Sequence, residues 1–209
     1  MASSIETTSS TTILKNNGNT YLSVDTNDDV TVTNDLAVSG TTTLSTPLPV
    51  ASGGTGKAVG LEIMIVQHQE AVGTNGGASL AGVNTRDLNT VQYNNLVGAS
   101  LATKQVTLNA GTYHMKGRTS GYASNLHKSY IYDITNSALV IAGSSEHAWS
   151  SDATQTFSYV NGVLTTTGTT VFELRQYVQT AHSSGFGNAS NYAAAGVEVY
   201  AELQITRMA

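Results

Sequence analysis

The chain has 209 residues, 40% of them apolar, a net charge of −5 and no cysteine, which removes disulfides, zinc–thiolate sites and cysteine nucleophiles together. Only 11% of the residues are charged, against roughly a quarter in ordinary globular proteins. That shortage argues against helix surfaces, while the wealth of Thr, Ser, Gly, Val and Tyr suits strands and turns.

No basic cluster is present to neutralise a phosphate backbone, so no nucleic-acid partner is expected. No apolar run approaches the length of a span, so no membrane insertion is expected either. The start, Met1 to Glu6, has neither a positive charge nor an apolar run and does not read as a secretory signal. The missing cysteines fit a protein made in the cytoplasm that later gains stability by association of chains. They fit equally the low cysteine use of many cytosolic proteins.

Residues 1–20 form a polar leading segment. The first fifty residues contain twelve threonines and one aromatic, Tyr21. Val30 and Val32 alternate with Thr31 and Thr33, Asn34-Asp35 turns the chain, and Leu36 and Val38 follow before Gly40 and Leu44. Strands this short, with one apolar edge, do not bury that edge alone. Three copies wound about a common axis do. The expectation for 21–46 is a threonine-rich, intertwined trimeric β-shaft; a disordered linker is the alternative.

Residues 47–60 hold both prolines, Pro47 and Pro49, then Gly53, Gly54, Gly56 and Gly60, the composition of a hinge. The string Gly53-Gly54-Thr55-Gly56-Lys57 is not a phosphate loop, because Ala58 follows the lysine and Gly60 discourages the helix such a loop needs.

From residue 61 to 209 strand signals dominate. Leu61–Gln67 is apolar and β-branched. Val106–Leu108 leads into the Asn109-Ala110-Gly111 turn. Thr112–Arg118 sets Tyr113 and Met115 against His114, Lys116 and Arg118. Ser129–Ile134 puts Tyr130, Tyr132 and Ile134 on one face, and Ala138–Ala142 follows a turn at Asn136-Ser137. Phe157–Val160 and Val163–Thr165 flank Asn161-Gly162, which reads as a hairpin turn. Val171–Val178 is a further strand. The last strand sets Val197, Val199, Ala201, Leu203 and Ile205 on one face and Glu198, Tyr200, Glu202 and Gln204 on the other. Eight to ten such strands with almost no helical period indicate an all-β sandwich or barrel. A loop of some thirty residues after Ala71 carries Arg86, Asp87, Tyr93 and Asn94.

Catalytic chemistry finds little support. Glu146 with Asp152, and Glu173, Glu198 and Glu202 on strands, could supply paired carboxylates, but nothing in their spacing demands it. No G-x-S-x-G elbow occurs, and HSSGFG at 182–187 is not one. His68, His114, His127, His147 and His182 include no H-x-H pair, so neither metal nor cofactor is expected. Surface loops are the better candidates for binding. One, Ser144–Ala153, carries Glu146, His147, Trp149 and Asp152. Another, Ala181–Tyr192, carries Phe186, Asn188 and Tyr192, and the long early loop adds Arg86 and Tyr93. An aromatic ring with nearby amides and carboxylates is the usual equipment for holding a sugar.

Several phrases resemble phage fibre proteins with a tumour-necrosis-factor-like head. They are PLPVASGGTG (47–56), GTNGGASLAGVNTRDLNTVQYN (73–94), GASLATKQVTLNAGTYHM (98–115), GYASNLHKSYIYDIT (121–135), GSSEHAWSSDATQTFSYVNG (143–162) and EVYAELQI (198–205). The resemblance implies a ten-strand jelly-roll head over 61–209 that trimerises about its own axis. The alternation of the last strand turns Tyr200 outward, either to pack near such an axis or to stand exposed at a rim. The resemblance also implies a homotrimeric virion fibre, made in the host cytoplasm, in which residues 1–20 attach to a tail or capsid adaptor protein. The head would bind a host surface glycan or protein without being an enzyme. A structural capsid fibre or decoration protein is the alternative, and an enzyme that degrades envelope polysaccharide a more distant one.

Overall fold

The computed structural model describes residues 61–208 and, before them, the backbone of four strands. The chain divides into two compact units, Met1–Ala58 and Val59–Ala209.

In the first unit β1 (Ser3–Thr7), β2 (Thr12–Asn16), β3 (Asn19–Val24) and β4 (Val30–Val32) pair in sequence order as an antiparallel meander. The shaft expected over 21–46 overlaps β3 and β4. Its later apolar positions, Leu36, Val38 and Leu44, and the hinge at 47–60 lie outside the described residues.

The second unit holds β5 (Ile63–Glu70), β6 (Gly82–Thr85), β7 (Thr90–Asn94), β8 (Ser100–Ala102), β9 (Gln105–Leu108), β10 (Gly111–Tyr122), β11 (Asn125–Asp133), β12 (Ala138–Ala148), β13 (Gln155–Thr166), β14 (Thr170–Val178) and β15 (Glu198–Arg207). One sheet runs β7-β5-β15-β10-β13, the other β12-β11-β14-β9-β8, with short β6 added on the far half of β14. The two meet where Gly143 of β12 pairs with Val160 of β13. A side chain at 143 would press on the carbonyls of Ser129 and Tyr159 at 2.5 and 2.7 Å, so only glycine lets three strands converge there. The result is a ten-strand jelly-roll sandwich, nearly free of helix.

Alternation does most of the building. Met64 and Val66, Tyr113 and Met115, Phe172 and Leu174, and Ala201, Leu203 and Ile205 enter the core from successive same-face positions, joined by Leu108, Ile131 and Val160. Their burial is the main favourable term in folding.

Four sequence expectations need correction. Asn161-Gly162 is no hairpin: β13 runs unbroken past it, paired with Lys116 and Met115 of β10. The Asn161 amide oxygen meets His114 Nε2 at 2.7 Å, and Ile141 packs over the bare Gly162. Twelve residues of continuous pairing outweigh a two-residue turn preference. The thirty-residue loop after Ala71 contains β6 and β7, and Tyr93 and Asn94 belong to β7. Strand β12 continues to Ala148, so Glu146 and His147 stand on a strand and only 149–154 forms the turn.

The fourth correction concerns β15. A bulge between Val199 and Ala201 breaks its alternation. Ala201, Leu203 and Ile205 face the core as expected, but Glu198 and Tyr200 turn inward while Val197 is exposed. Tyr200 is buried within its own copy. Its hydroxyl donates to the Thr74 carbonyl at 2.7 Å, and burial, with Glu198 and Glu70 nearby, pushes that hydroxyl's pKa up to about 12.

Candidate functional site

The antiparallel strands divide the sandwich's connections between two ends. The chain comes in at Leu61 and leaves at Met208 on one end, where Arg207 N donates to the Glu62 carbonyl and Met208 N to the Thr112 carbonyl. The segments 71–81, 123–124, 149–154 and 179–197 gather at the opposite, distal end.

These distal loops are knitted together by main chain. Gly76 N donates to Gly187 O, Phe186 N to Gly77 O, Tyr122 N to Gly185 O, Ala123 N to Thr154 O and Thr180 N to Ser124 O, all within 2.9–3.1 Å. Ser79 and His182 form a two-way bridge. Side chains add to this: Asn75 Nδ2 donates to Ser184 Oγ, and its Oδ1 accepts from Ala189 N. The segment 179–190 is therefore long but held.

Of the nine candidate binding residues, the structure brings most to this end. Trp149 is 55% exposed, and its ring lies against His147 with centroids 4.0 Å apart and a 43° tilt. Half-buried Glu146 accepts from Ser144 Oγ at 2.7 Å. Asp152 is exposed in the same turn. Leu126, opposite His147 on β11, is exposed beside them. Asn188 and Tyr192 are exposed on the 179–197 segment, and Asn188 N donates to Gln155 Oε1 at 2.7 Å. Tyr93 is exposed on edge strand β7, away from this group and opposite Ile65.

Two candidates are not surface residues. Phe186 is 8% exposed, and Arg86 is 0% exposed with its guanidinium carbon 4.2 Å from the Phe186 ring centre. The loops fold over them, so neither presents its side chain to a receptor. Burial pulls the Arg86 pKa down to about 9.

Between the 149–154 turn and the 179–197 segment lies a hollow of about 380 Å³, lined by Tyr122, Ala153, Gln155, Asn188, Ser190, Glu198, Val199 and Tyr200. Glu198 organises one wall. It accepts from the backbone N–H of Asn191, Ser190 and Gly73 and from the Ser190 hydroxyl. Burial pushes its carboxyl up, but those hydrogen bonds outweigh it and hold the pKa below the usual value. Nothing in the sequence marks Tyr122, Gln155 and Ser190 as site residues. They carry no motif, and only the meeting of two connections remote in the chain makes them neighbours.

The acids considered for glycosidic cleavage have separate partners. Glu173 on β14 takes hydrogen bonds from Thr85, Gln105 and Arg175, and Glu202 accepts from Gln67. Among the described residues no group of three metal-ligating side chains is found, and no helix is long and apolar enough to cross a membrane.

Murine APRIL superposes with a TM-score of 0.50, over 71% of this chain and 99% of that one, at 9% identity. The fold of the second unit is a tumour-necrosis-factor-like jelly roll. The globular domain of a zebrafish complement 1qA protein aligns at 10% identity over 72% of this chain and 98% of its own, with a TM-score of 0.49. No family model matches the sequence, and no curated protein does. At these identities the likeness concerns the path of the jelly-roll backbone.

Proposed function

We propose that the protein is a homotrimeric fibre of a bacterial virus, attached to the virion through its N-terminal segment, whose jelly-roll head binds a host-surface glycan or protein at its distal loops. The observation that carries this reading is the division of the head's two ends. The chain enters at one, and the exposed Trp149, with Asp152, Asn188 and Tyr192, sits at the other. A domain joined to the rest of its chain at one end and carrying exposed side chains on braced loops at the other is built for presentation.

Threefold association is supported by the outer face of the β7-β5-β15-β10-β13 sheet. Tyr159 and Val163 are exposed on its β13 edge, and Tyr93, with half-buried Ile63 and Ile65, lies at the opposite edge. Polar Glu202, Arg118, Gln204 and Lys116 occupy the middle. Unlike edges that can meet favour a head-to-tail contact, which closes into a ring when the rotation allows. Three weak sites held on one particle then act at high effective concentration.

Labelled protein is expected to stain susceptible bacterial cells. Trp149→Ala should abolish the staining while leaving the trimer mass unchanged. Staining that survives removes Trp149 from the contact, and binding to isolated capsids alone would make the protein a structural decoration.

A further inference from the structure

Beneath the distal loops lies a polar cluster centred on one buried guanidinium, that of Arg86. Arg86 Nη1 donates to the Ser120 carbonyl at 3.1 Å and to Gln176 Oε1 at 2.8 Å. Its Nη2 donates to the carbonyls of Phe186 and Tyr200, both at 3.1 Å. These acceptors come from β10, β14, the 179–197 segment and β15, and none carries charge. The nearest carboxylate in sequence, Asp87, instead pairs with Lys104 at 3.2 Å.

A guanidinium has only donors. Gln176 must therefore turn its oxygen toward Arg86, and its NH₂ group then faces the Ser120 carbonyl at 3.2 Å and His127 Nδ1 at 3.0 Å. Nδ1 thus offers its lone pair, and the single ring proton of neutral His127 sits on Nε2, which donates to Thr156 Oγ1 at 2.8 Å. The imidazole has no lone pair free to take a proton from Thr156, so the Thr156–His127 pair is not an activated nucleophile. Thr156 follows Gln155, a wall of the hollow, and its hydroxyl proton is left for another acceptor.

We propose that Arg86 is the positioning residue of the distal loops. It holds the Phe186 and Tyr200 carbonyls, which the Ser120 hydroxyl also faces, and through Gln176 it sets the tautomer of His127 and the donor direction of that ring toward Thr156. A lysine cannot replace it, because a single ammonium nitrogen does not span two pairs of acceptors or stack on Phe186. This inference rests on the reading of the distal loops as the receptor end.

The test uses the full chain, ¹⁵N-labelled at histidine, together with amide exchange and cell staining. In the wild type at pH 7, His127 is expected neutral with its proton on Nε2. Gln176→Glu keeps an acceptor for Arg86 but has no N–H for Nδ1, so the ring proton should move to Nδ1. Arg86→Lys should speed exchange at Gly76, Tyr122 and Phe186 by about tenfold or more, with Ile134 and Met208 at the other end unchanged. A wild-type proton on Nδ1, or acceleration spread evenly over both ends, overturns the proposal; the first measurement decides even if Arg86→Lys does not fold. If the loops loosen and staining persists, the role of Arg86 stands and the receptor assignment falls. If staining is lost with exchange unchanged, the role of Arg86 falls.

Discussion

Acid should weaken this protein through His127. Burial first, and then the charges of Arg86 and His147, pull the imidazole pKa from 6.5 to about 4, against an opposing pull from Glu146, its partner across the β11–β12 pair. The unfolded chain accepts a proton near 6.5 that the folded chain refuses until about 4. The stabilisation is therefore complete above pH 6.5 and is lost as pH falls through that window. In full it amounts to about 3 kcal/mol, of which about 2 kcal/mol is gone by pH 4.5. Urea unfolding at pH 7 and pH 4.5, at fixed protein concentration, should show this loss in the wild type. His127→Gln, which has nothing to titrate, should lack that part of it. His68 and the acids are common to both proteins and cancel in the comparison. Equal pH losses in the two would refute the reasoning, because the proton would then be taken up elsewhere.

Tyr159→Lys, on the β13 edge of the outer face, should leave the head folded by circular dichroism but shift its mass by light scattering from trimer to monomer; an intact trimer would move the interface elsewhere. Gly187→Ala places a Cβ 2.1 Å from the Tyr200 ring at a backbone φ of +141°. It should cost about 2–3 kcal/mol in urea unfolding, through strain and displacement of the ring.

The sandwich was legible because its strands obey the simplest rule available, alternation across a half-buried sheet. Tyr113 and Met115 against His114 and Lys116 needed no tertiary knowledge. Asn161-Gly162 misled because a local turn preference of this kind competes with pairing partners that lie far away in sequence. β15 misleads ahead of Ala201: a bulge carries no recognisable motif, yet it reverses the positions before it, so that Tyr200 and Glu198 turn inward and Val197 outward. Arg86 reads as a surface group in the sequence because arginine usually is one. Its acceptors are mostly main-chain carbonyls and an amide, which leave no charged complement in the sequence to betray a buried cation. Trp149, a large ring among small polar residues, was correctly visible as a surface side chain. The hollow beside it was not, since its walls come from connections separated by dozens of residues.

Strands β5 and β15 pair so that Ile63 stands opposite Thr206. Both leads of the jelly roll are thus neighbours, and the head is topologically a cassette. A segment spanning 61–208 can be spliced into a surface turn of another scaffold, or extended by a tag after its final strand, without threading new chain past the loops that frame the hollow.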